Sequence, residues 1–315
     1  MHNLVIIGSG PAGCAAAISA RIKGLSVVLL DIPKFARLLP GETLHPGAEP
    51  LLRHLGVWAA IEACSYHRHT GLWRVDLQGS RNFTPYGSDG NGPWRGFQVN
   101  RVEFNKILRQ RAINAGVFWI EVSKLKRALH DKDGWILESI ANERINAITL
   151  MDATGRSAWL AAQLGVAVER YGETQRVQFG WSNIDNDETD GNPVFTTLSH
   201  GWKWSAPISE TRMAWVKQYR GEDNIGIDVT PRIHSLCAGP GWFLLGDAAF
   251  MTTPAAGNGI LRALMSGMYS IHIYAAMRNT WISEEQGAKF YCSWMRKLWQ
   301  STILATERGF LTPNQ

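Results

Sequence analysis

Gly8, Gly10 and Gly13 have the spacing that binds a pyrophosphate, and Asp31 has the chemistry to hold a ribose. They lie in Gly8-Ser9-Gly10-Pro11-Ala12-Gly13 and at the end of Val27-Val28-Leu29-Leu30-Asp31. Gly8 allows a tight turn off a strand. Gly10 has no side chain, so a phosphate can approach the backbone. Gly13 lets a helix pack close to the sheet. Pro11 opens that helix, and the free N–H groups of Ala12, Gly13 and beyond offer partial positive charge to an anion. Asp31 would accept hydrogen bonds from ribose hydroxyls. The elements needed to position these residues are present. Leu4-Val5-Ile6-Ile7 reads as a buried strand, Cys14 to Ala20 as a helix of small residues, Gly24 as a turn, and Val27 to Leu30 as a second strand. Strand, glycine turn, helix, strand and acid together form the βαβ fingerprint for a dinucleotide.

Other candidates are scattered along the chain. Residues 33–46 read as a loop punctuated by prolines, and this loop carries Glu42 and His45. Helices are predicted at 47–55 and 57–63, then strands within 66–98. His67 and His69 alternate and read as a solvated strand or loop. The apolar spacing of Phe104, Ile107, Leu108, Ala112 and Ala115 predicts a helix from Arg101 to Gly116. Strands follow at 117–120, 124–129, 134–140 and 145–151. The last enters Asp152-Ala153-Thr154-Gly155 and a helix running to about Leu164. Residues 170–220 are strand-like, with a polar hairpin loop at 185–193. Alternation puts Trp202 and Trp204 on one face, as a pocket wall or as a core face. Trp242 to Leu245 is a buried strand that enters Gly246-Asp247-Ala248-Ala249. Pro254-Ala255-Ala256-Gly257-Asn258-Gly259 follows, then a helix from Ile260 to about Met277 and a C-terminal helix at 281–308.

The bulk numbers narrow the classes. The 315 residues suit one large domain or two lobes. The 45% hydrophobic and 19% charged content is that of a soluble globular protein. A net charge of +5 without blocks of like charge gives no case for nucleic acid. The four cysteines form no Cys-x-x-Cys pair, so reduced thiols and a cytoplasmic location are expected. No secretory leader and no membrane span is predicted. No metal-ligand spacing and no Gly-x-Ser-x-Gly elbow is present. Fourteen tryptophans spread along the chain point to packing and pocket walls rather than to one functional box.

Three separated segments, Gly8–Asp31, Asp152–Gly155 and Gly246–Gly259, occur in an order that resembles the FAD-dependent monooxygenase superfamily with a glutathione-reductase-type FAD fold. Pro40-Gly41-Glu42-Thr43 through Glu49-Pro50, Trp202-x-Trp204 and Asp152-Ala153-Thr154-Gly155 are closer to its flavin-halogenase-like and tryptophylquinone-maturation-like branch. The resemblance implies an α/β fold. It comprises a Rossmann-type FAD-binding domain with a central parallel sheet (1–69, 95–165 and 236–280) and a smaller, mostly antiparallel substrate domain (70–94 and 166–235). A C-terminal helical segment (281–315) completes it. It implies that Asp247, after Gly246, bonds a ribityl hydroxyl. Pro254, Gly257, Asn258 and Gly259 would lie against the isoalloxazine, and Arg101 would reach the cofactor. Trp202 and Trp204 would face substrate, with Glu42 and His45 as candidate catalytic groups.

The implied activity is an FAD-dependent oxidoreductase, foremost a monooxygenase. It would hydroxylate an electron-rich aromatic substrate, a small molecule or a tryptophan or other residue of a peptide or protein, through a flavin C4a-hydroperoxide. NAD(P)H or a separate flavin reductase would supply electrons, with molecular oxygen as co-substrate. Halogenation is the first alternative, although Cys64-Ser65-Tyr66-His67-Arg68-His69 has no lysine where halogenases need one. A reductase, or an FAD-fold maturation or scaffold protein, are the others. Phe250 and Thr253 stand where the family often has a histidine and an aspartate.

Overall fold

Leu4 to Ile7 are fully buried and form the inner half of β1 (His2–Ile7) in this computed structural model, which describes residues 2–32, 42–64, 67–184, 190–219 and 226–311. The chain then runs through α1 (Pro11–Ile22), β2 (Val28–Asp31), β3 (Glu42–Leu44), α2 (Ala48–His54), α3 (Trp58–Glu62) and β4 (Arg68–His69). Next come β5 (Gly71–Val75), β6 (Arg81–Pro85), β7 (Ser88–Asp89), β8 (Gly92–Pro93), β9 (Gly96–Val99) and α4 (Arg101–Asn114). The middle of the chain forms β10 (Phe118–Glu121), β11 (Leu125–Asp131), β12 (Gly134–Ser139), β13 (Arg144–Asp152), α5 (Trp159–Gln163) and β14 (Val168–Arg170). Then follow β15 (Arg176–Asn183), β16 (Val194–Leu198), β17 (Gly201–Pro207), β18 (Arg212–Tyr219), β19 (Ile227–Asp228) and β20 (Arg232–His234). β21 (Ala238–Gly239), β22 (Trp242–Leu244), β23 (Phe250–Met251), α6 (Gly259–Arg278) and α7 (Glu284–Leu311) complete the described chain.

The central sheet runs β10-β2-β1-β13 in parallel and continues antiparallel through β12 and β11, with β22 parallel beside the end of β13. Its register decides where a ligand can sit. Ile7 lies opposite Asp152, and Asp152 lies opposite Leu244. The carboxyl ends of β1, β13 and β22 are therefore level, and each runs into one of the three glycine-bearing turns. Ligands of open α/β sheets bind at that edge.

α1 covers this sheet, and all of Pro11 to Ala20 are buried. α6 packs on α1 through residues with almost no side chain. A Cβ on Gly267 would stand 2.3 Å from the Ala12 carbonyl oxygen, and one on Gly246 would stand 3.2 Å from the Ala12 Cβ. The approach is closer than any larger residue permits. α7 packs on α6, and its buried Tyr291 hydroxyl donates to the Leu244 carbonyl at 2.9 Å.

A second sheet, ordered β19-β15-β18-β17-β16-β5-β6, is antiparallel except for the β16–β5 pair. A small sheet, β3-β9-β4, lies before α4, and another, β14-β20-β23, joins the strand after Asp247 to the middle of the chain. Two expectations are corrected. Residues 42–44 are strand β3 rather than loop, because Glu42, Thr43 and Leu44 pair with Val99, Gln98 and Phe97 of a neighbour distant in sequence. The helix expected after Gly155 is a 3-10 turn (Gly155–Ser157) and a separate α5, divided at Ala158, whose φ of 41° a continuous helix cannot adopt. The remainder of the Pro33-to-Gly41 loop and 185–189 of the hairpin loop lie outside the described residues.

Gly267→Ala is expected to lower the thermal midpoint by several degrees, the overpacking cost being roughly 1–3 kcal/mol. Calorimetry of the variant checks this, and an unchanged midpoint contradicts the α1–α6 seam.

Candidate cofactor and active site

The opening turn is held by contacts that leave no room for side chains on one side and open space on the other. Gly8 has φ +106°, and a Cβ there would stand 2.5 Å from the Ala153 carbonyl oxygen. A Cβ on Gly13 would stand 1.9 Å from the Gly8 carbonyl oxygen. By contrast, a Cβ on Gly10 would meet nothing within 4 Å. Gly10 is the N-cap of α1 and makes no side-chain cap bond, and Pro11 opens the helix. The first helical N–H groups thus face a cleft that could receive an anion. Pro11 and Ala12 are buried against the sheet and α6. At the edge of the cleft the Ser9 hydroxyl donates to the Asp31 carboxylate. Arg109 of α4 donates to the Ser9 carbonyl at 3.4 Å.

The second turn meets the first. Leu245 N–H donates to the Asp152 carbonyl at 2.8 Å, and Gly246, at φ +55°, donates its N–H to the Ser266 hydroxyl at 2.8 Å. These bonds hold Gly246 close to Ala12, and Asp247 follows directly. Burial pushes the Asp247 carboxyl up, while the Arg262, Arg101, Arg156 and Arg232 charges pull it down, Arg262 most. Arg262 is buried on the first turn of α6 with its guanidinium 5.5 Å from the Phe250 ring centre, and its Nη1 has no partner. Burial lowers its pKa to about 10. The Thr252 and Thr253 hydroxyls are also buried without partners. Arg101 begins α4 and donates through Nε to the Asn105 side chain at 3.2 Å. Pro254 opens a 3-10 turn ending at Gly257, with φ 64°. Asn258 then caps α6, and Gly259 is its first residue.

Asp152, the acid of the middle motif, has a local structural task. Its carboxylate accepts the Thr154 N–H at 2.8 Å and the Leu160 N–H at 2.7 Å, fixing the turn and the start of α5.

The remaining candidates gather around the small sheet. Glu42 lies on β3 opposite Val99. His45 follows that strand, and its Nδ1 accepts the Gly47 N–H at 3.0 Å, which leaves the proton of the neutral ring on Nε2. A Cβ on Gly47 would be 3.7 Å from Leu261, so the turn that follows His45 borders the first turn of α6. His69 is not solvated as the alternation suggested. It is 2% exposed, because Gly96 opposite it on β9 leaves room for the ring to fold inward. Trp202 and Trp204 do share a face. Trp202 is buried and stacks on Phe195 at 5.7 Å. Trp204 packs on the same cluster, as does Ala255 of the turn before α6. The face is thus a core face that reaches the turn before α6.

The residues present fit FAD. A bare glycine turn, an arginine-flanked acid and a helix start with unfilled space converge at one sheet edge, with orphaned buried donors at Arg262, Thr252 and Thr253. Sequence reading missed Arg262, Arg109 and His69. The available signals were a charge inside the apolar run Ile260-Leu261-Arg262-Ala263-Leu264 and the glycine that faces His69 across the strands.

His69 should mark the pH dependence of stability. Burial, with the His67 and Arg68 charges, lowers it to about 4, below an unfolded value of about 6.5. Its contribution is therefore complete above pH ~6.5 and is lost as pH falls toward ~4, at most about 3 kcal/mol. Urea unfolding between pH 7.5 and 4.5 is expected to show this loss, and His69→Gln is expected to reduce it.

The FAD binding domain family model matches residues 1–220. The chain is 25% identical over 315 residues to 1H-pyrrole-2-carbonyl-[peptidyl-carrier protein] brominase of Pseudoalteromonas luteoviolacea, covering 85% of this chain and 75% of the relative. It is 24% identical over 322 residues to tryptophan 2-halogenase of Chondromyces crocatus, covering 84% of this chain and 59% of that longer relative. The structure of the peptidyl tryptophan dihydroxylase QhpG superposes with a TM-score of 0.76 at 20% identity, over 96% of this chain and 73% of that one. The chain belongs to the FAD binding domain family, among relatives that are FAD-dependent halogenases, monooxygenases and reductases.

Proposed function

We propose that this protein binds FAD and hydroxylates an electron-rich aromatic substrate, a small molecule or an aromatic residue of a peptide or protein. The observation that carries the reading is the contact of the opening turn with the Asp247 turn, Gly246 against Ala12, at the level ends of β1, β13 and β22. The backbone of Gly8, Gly10, Pro11, Ala12 and Gly13 would hold the pyrophosphate and Asp31 a ribose. Arg101, Gly246 and Asp247 would hold the ribityl chain, and Pro254, Gly257, Asn258 and Gly259 the flavin ring. When bound, FAD supplies the redox and oxygen-activating chemistry. The sequence holds a single glycine fingerprint, so NAD(P)H would act from solution or a separate flavin reductase would serve.

The protein's own groups then have defined tasks. The start of α6 favours negative charge near the ring. Burial raises the pKa of the Asp247 carboxyl, and the arginines around it offset part of that rise. His45 presents an Nε2–H donor beside that helix, and Glu42 is the other candidate polar group. The sheet that carries Trp202 and Trp204 would belong to a substrate half of residues 70–94 and 166–235 and would keep water out. The unpaired thiols of the described residues suit a cytoplasmic enzyme.

Halogenation is the second reading, favoured by the printed activities of the brominase and the tryptophan 2-halogenase. The two readings separate in one experiment. FAD-loaded protein, reduced and then mixed with oxygen and an electron-rich aromatic such as indole, is expected to yield an oxygenated product with or without bromide. Product that forms only with bromide, and carries it, selects halogenation. Absence of either product contradicts both readings.

Gly10→Ala tests the cofactor assignment itself. Its Cβ would meet no protein atom, so the thermal midpoint of the apoprotein should be unchanged. FAD affinity is expected to fall by at least about tenfold, roughly 1.4 kcal/mol. Equal affinity in a titration would contradict the phosphate role of the turn.

A further inference from the structure

A cleft of about 60 Å³ opens between α3 and the small β3-β9-β4 sheet. Trp58, Ile61, Glu62, Arg68 and Phe97 line it, and none of them belongs to the cofactor turns. A water needs roughly 10–15 Å³ of cavity to enter, so the cleft holds a ligand of about four to six non-hydrogen atoms.

The strand register builds its wall. Arg68 of β4 lies opposite Phe97 of β9, and Phe97 lies opposite Leu44 of β3, so the three side chains share one face of the sheet. α3 covers that face. The Trp58 ring meets Phe97 edge-on at 5.3 Å. The Arg68 guanidinium lies 5.1 Å from the centre of the Trp58 ring and 5.7 Å from that of Phe97.

Three polar groups of this wall have nothing to bond. Trp58 is 5% exposed, and its indole N–H has no acceptor. Arg68 donates through Nη2 to the Glu49 carboxylate at 2.8 Å, but its buried Nε has no acceptor. Glu62 is exposed and pairs with no cation among the described residues. The two charges of the cleft, Glu62 and Arg68, therefore face it without pairing with each other.

This set specifies a ligand. The Trp58 and Arg68 groups only donate, so they require an acceptor, and the guanidinium favours a carboxylate. An ionised Glu62 only accepts, so it requires a donor, and its charge favours an ammonium. Ile61 and the two rings supply apolar surface for a short chain. A molecule of that size with a carboxylate, an ammonium and a short chain is a small α-amino acid.

We propose that the cleft between α3 and β4 binds a small aliphatic α-amino acid such as alanine. Its carboxylate accepts from Arg68 and from the Trp58 indole N–H, its ammonium faces Glu62, and its side chain lies against Ile61 and Phe97. The site is separate from the cofactor turns and does not rest on the flavin reading.

The test is titration of the full chain, with no FAD added, followed by saturation-transfer NMR with L-alanine, propionate and ethylamine as probes. Saturable binding of alanine is expected. Propionate lacks the ammonium and is expected to bind about threefold more weakly, the worth of an exposed ion pair. Ethylamine lacks the carboxylate and is expected to bind at least about tenfold more weakly, because the buried donors stay unpaired. Glu62→Gln is expected to abolish the difference between alanine and propionate. Arg68→Gln is expected to lower alanine affinity at least about tenfold. Glu62 is exposed, so Glu62→Gln decides the matter if Arg68→Gln does not fold. No saturable binding of alanine, equal binding of alanine and either other probe, or undiminished discrimination or affinity in the variants overturns the proposal.

Discussion

The structure depends on how closely two backbones approach. Ala12 on α1 is touched from one side by Gly246 and from another by Gly267 of α6, and Gly13 lies on the carbonyl of Gly8. Backbone contact of this kind is possible only where side chains are missing. It fixes α1 against both the sheet and α6, and so fixes the spacing between the opening turn and the Asp247 turn. A cofactor long enough to span both turns needs that spacing constant. Larger residues in the seam would move the helix start away from the acid before they affected any catalytic group.

Charge follows from the same geometry. The ends of β1, β13 and β22 bring two acids to one edge, and the structure treats them differently. Asp152 is satisfied by backbone N–H groups and belongs to the scaffold. Asp247 has arginines from several elements around it. The two acids differ in what surrounds each one, backbone N–H groups for Asp152 and arginine charges for Asp247. The buried Arg262 extends this pattern. A cation on the first turn of α6 adds to the field of the helix start, so negative charge is favoured there twice over.

Much of the nucleotide half was legible because its signals are local. The run Leu4 to Ile7, the glycines after it and Asp31 need only nearby residues to be interpreted, and the structure has the strand, turn, helix and strand where the pattern put them. Asp247 and the turn to Gly259 were legible through family resemblance, since an acid after a strand has many uses. The small sheet was not legible. β3 pairs with β9 across a long stretch of chain, and Glu42 to Leu44 have no pattern of their own. For the same reason His69 looked solvated, because its burial depends on Gly96 on another strand. Trp202 and Trp204 were placed on one face correctly by alternation. That the same face also meets Ala255, far along the chain, is something no local pattern shows.

The most direct test of the account is the stoichiometry of flavin binding. Purified protein, stripped of small molecules, is titrated with FAD while flavin fluorescence is followed, with Asp247→Ala in parallel. The account predicts saturation at one FAD per chain in the wild type and loss of that binding in a variant that remains folded by circular dichroism. A wild-type chain that binds no FAD, or an Asp247→Ala chain that binds it equally well, would contradict the claim that the two turns together form the cofactor site.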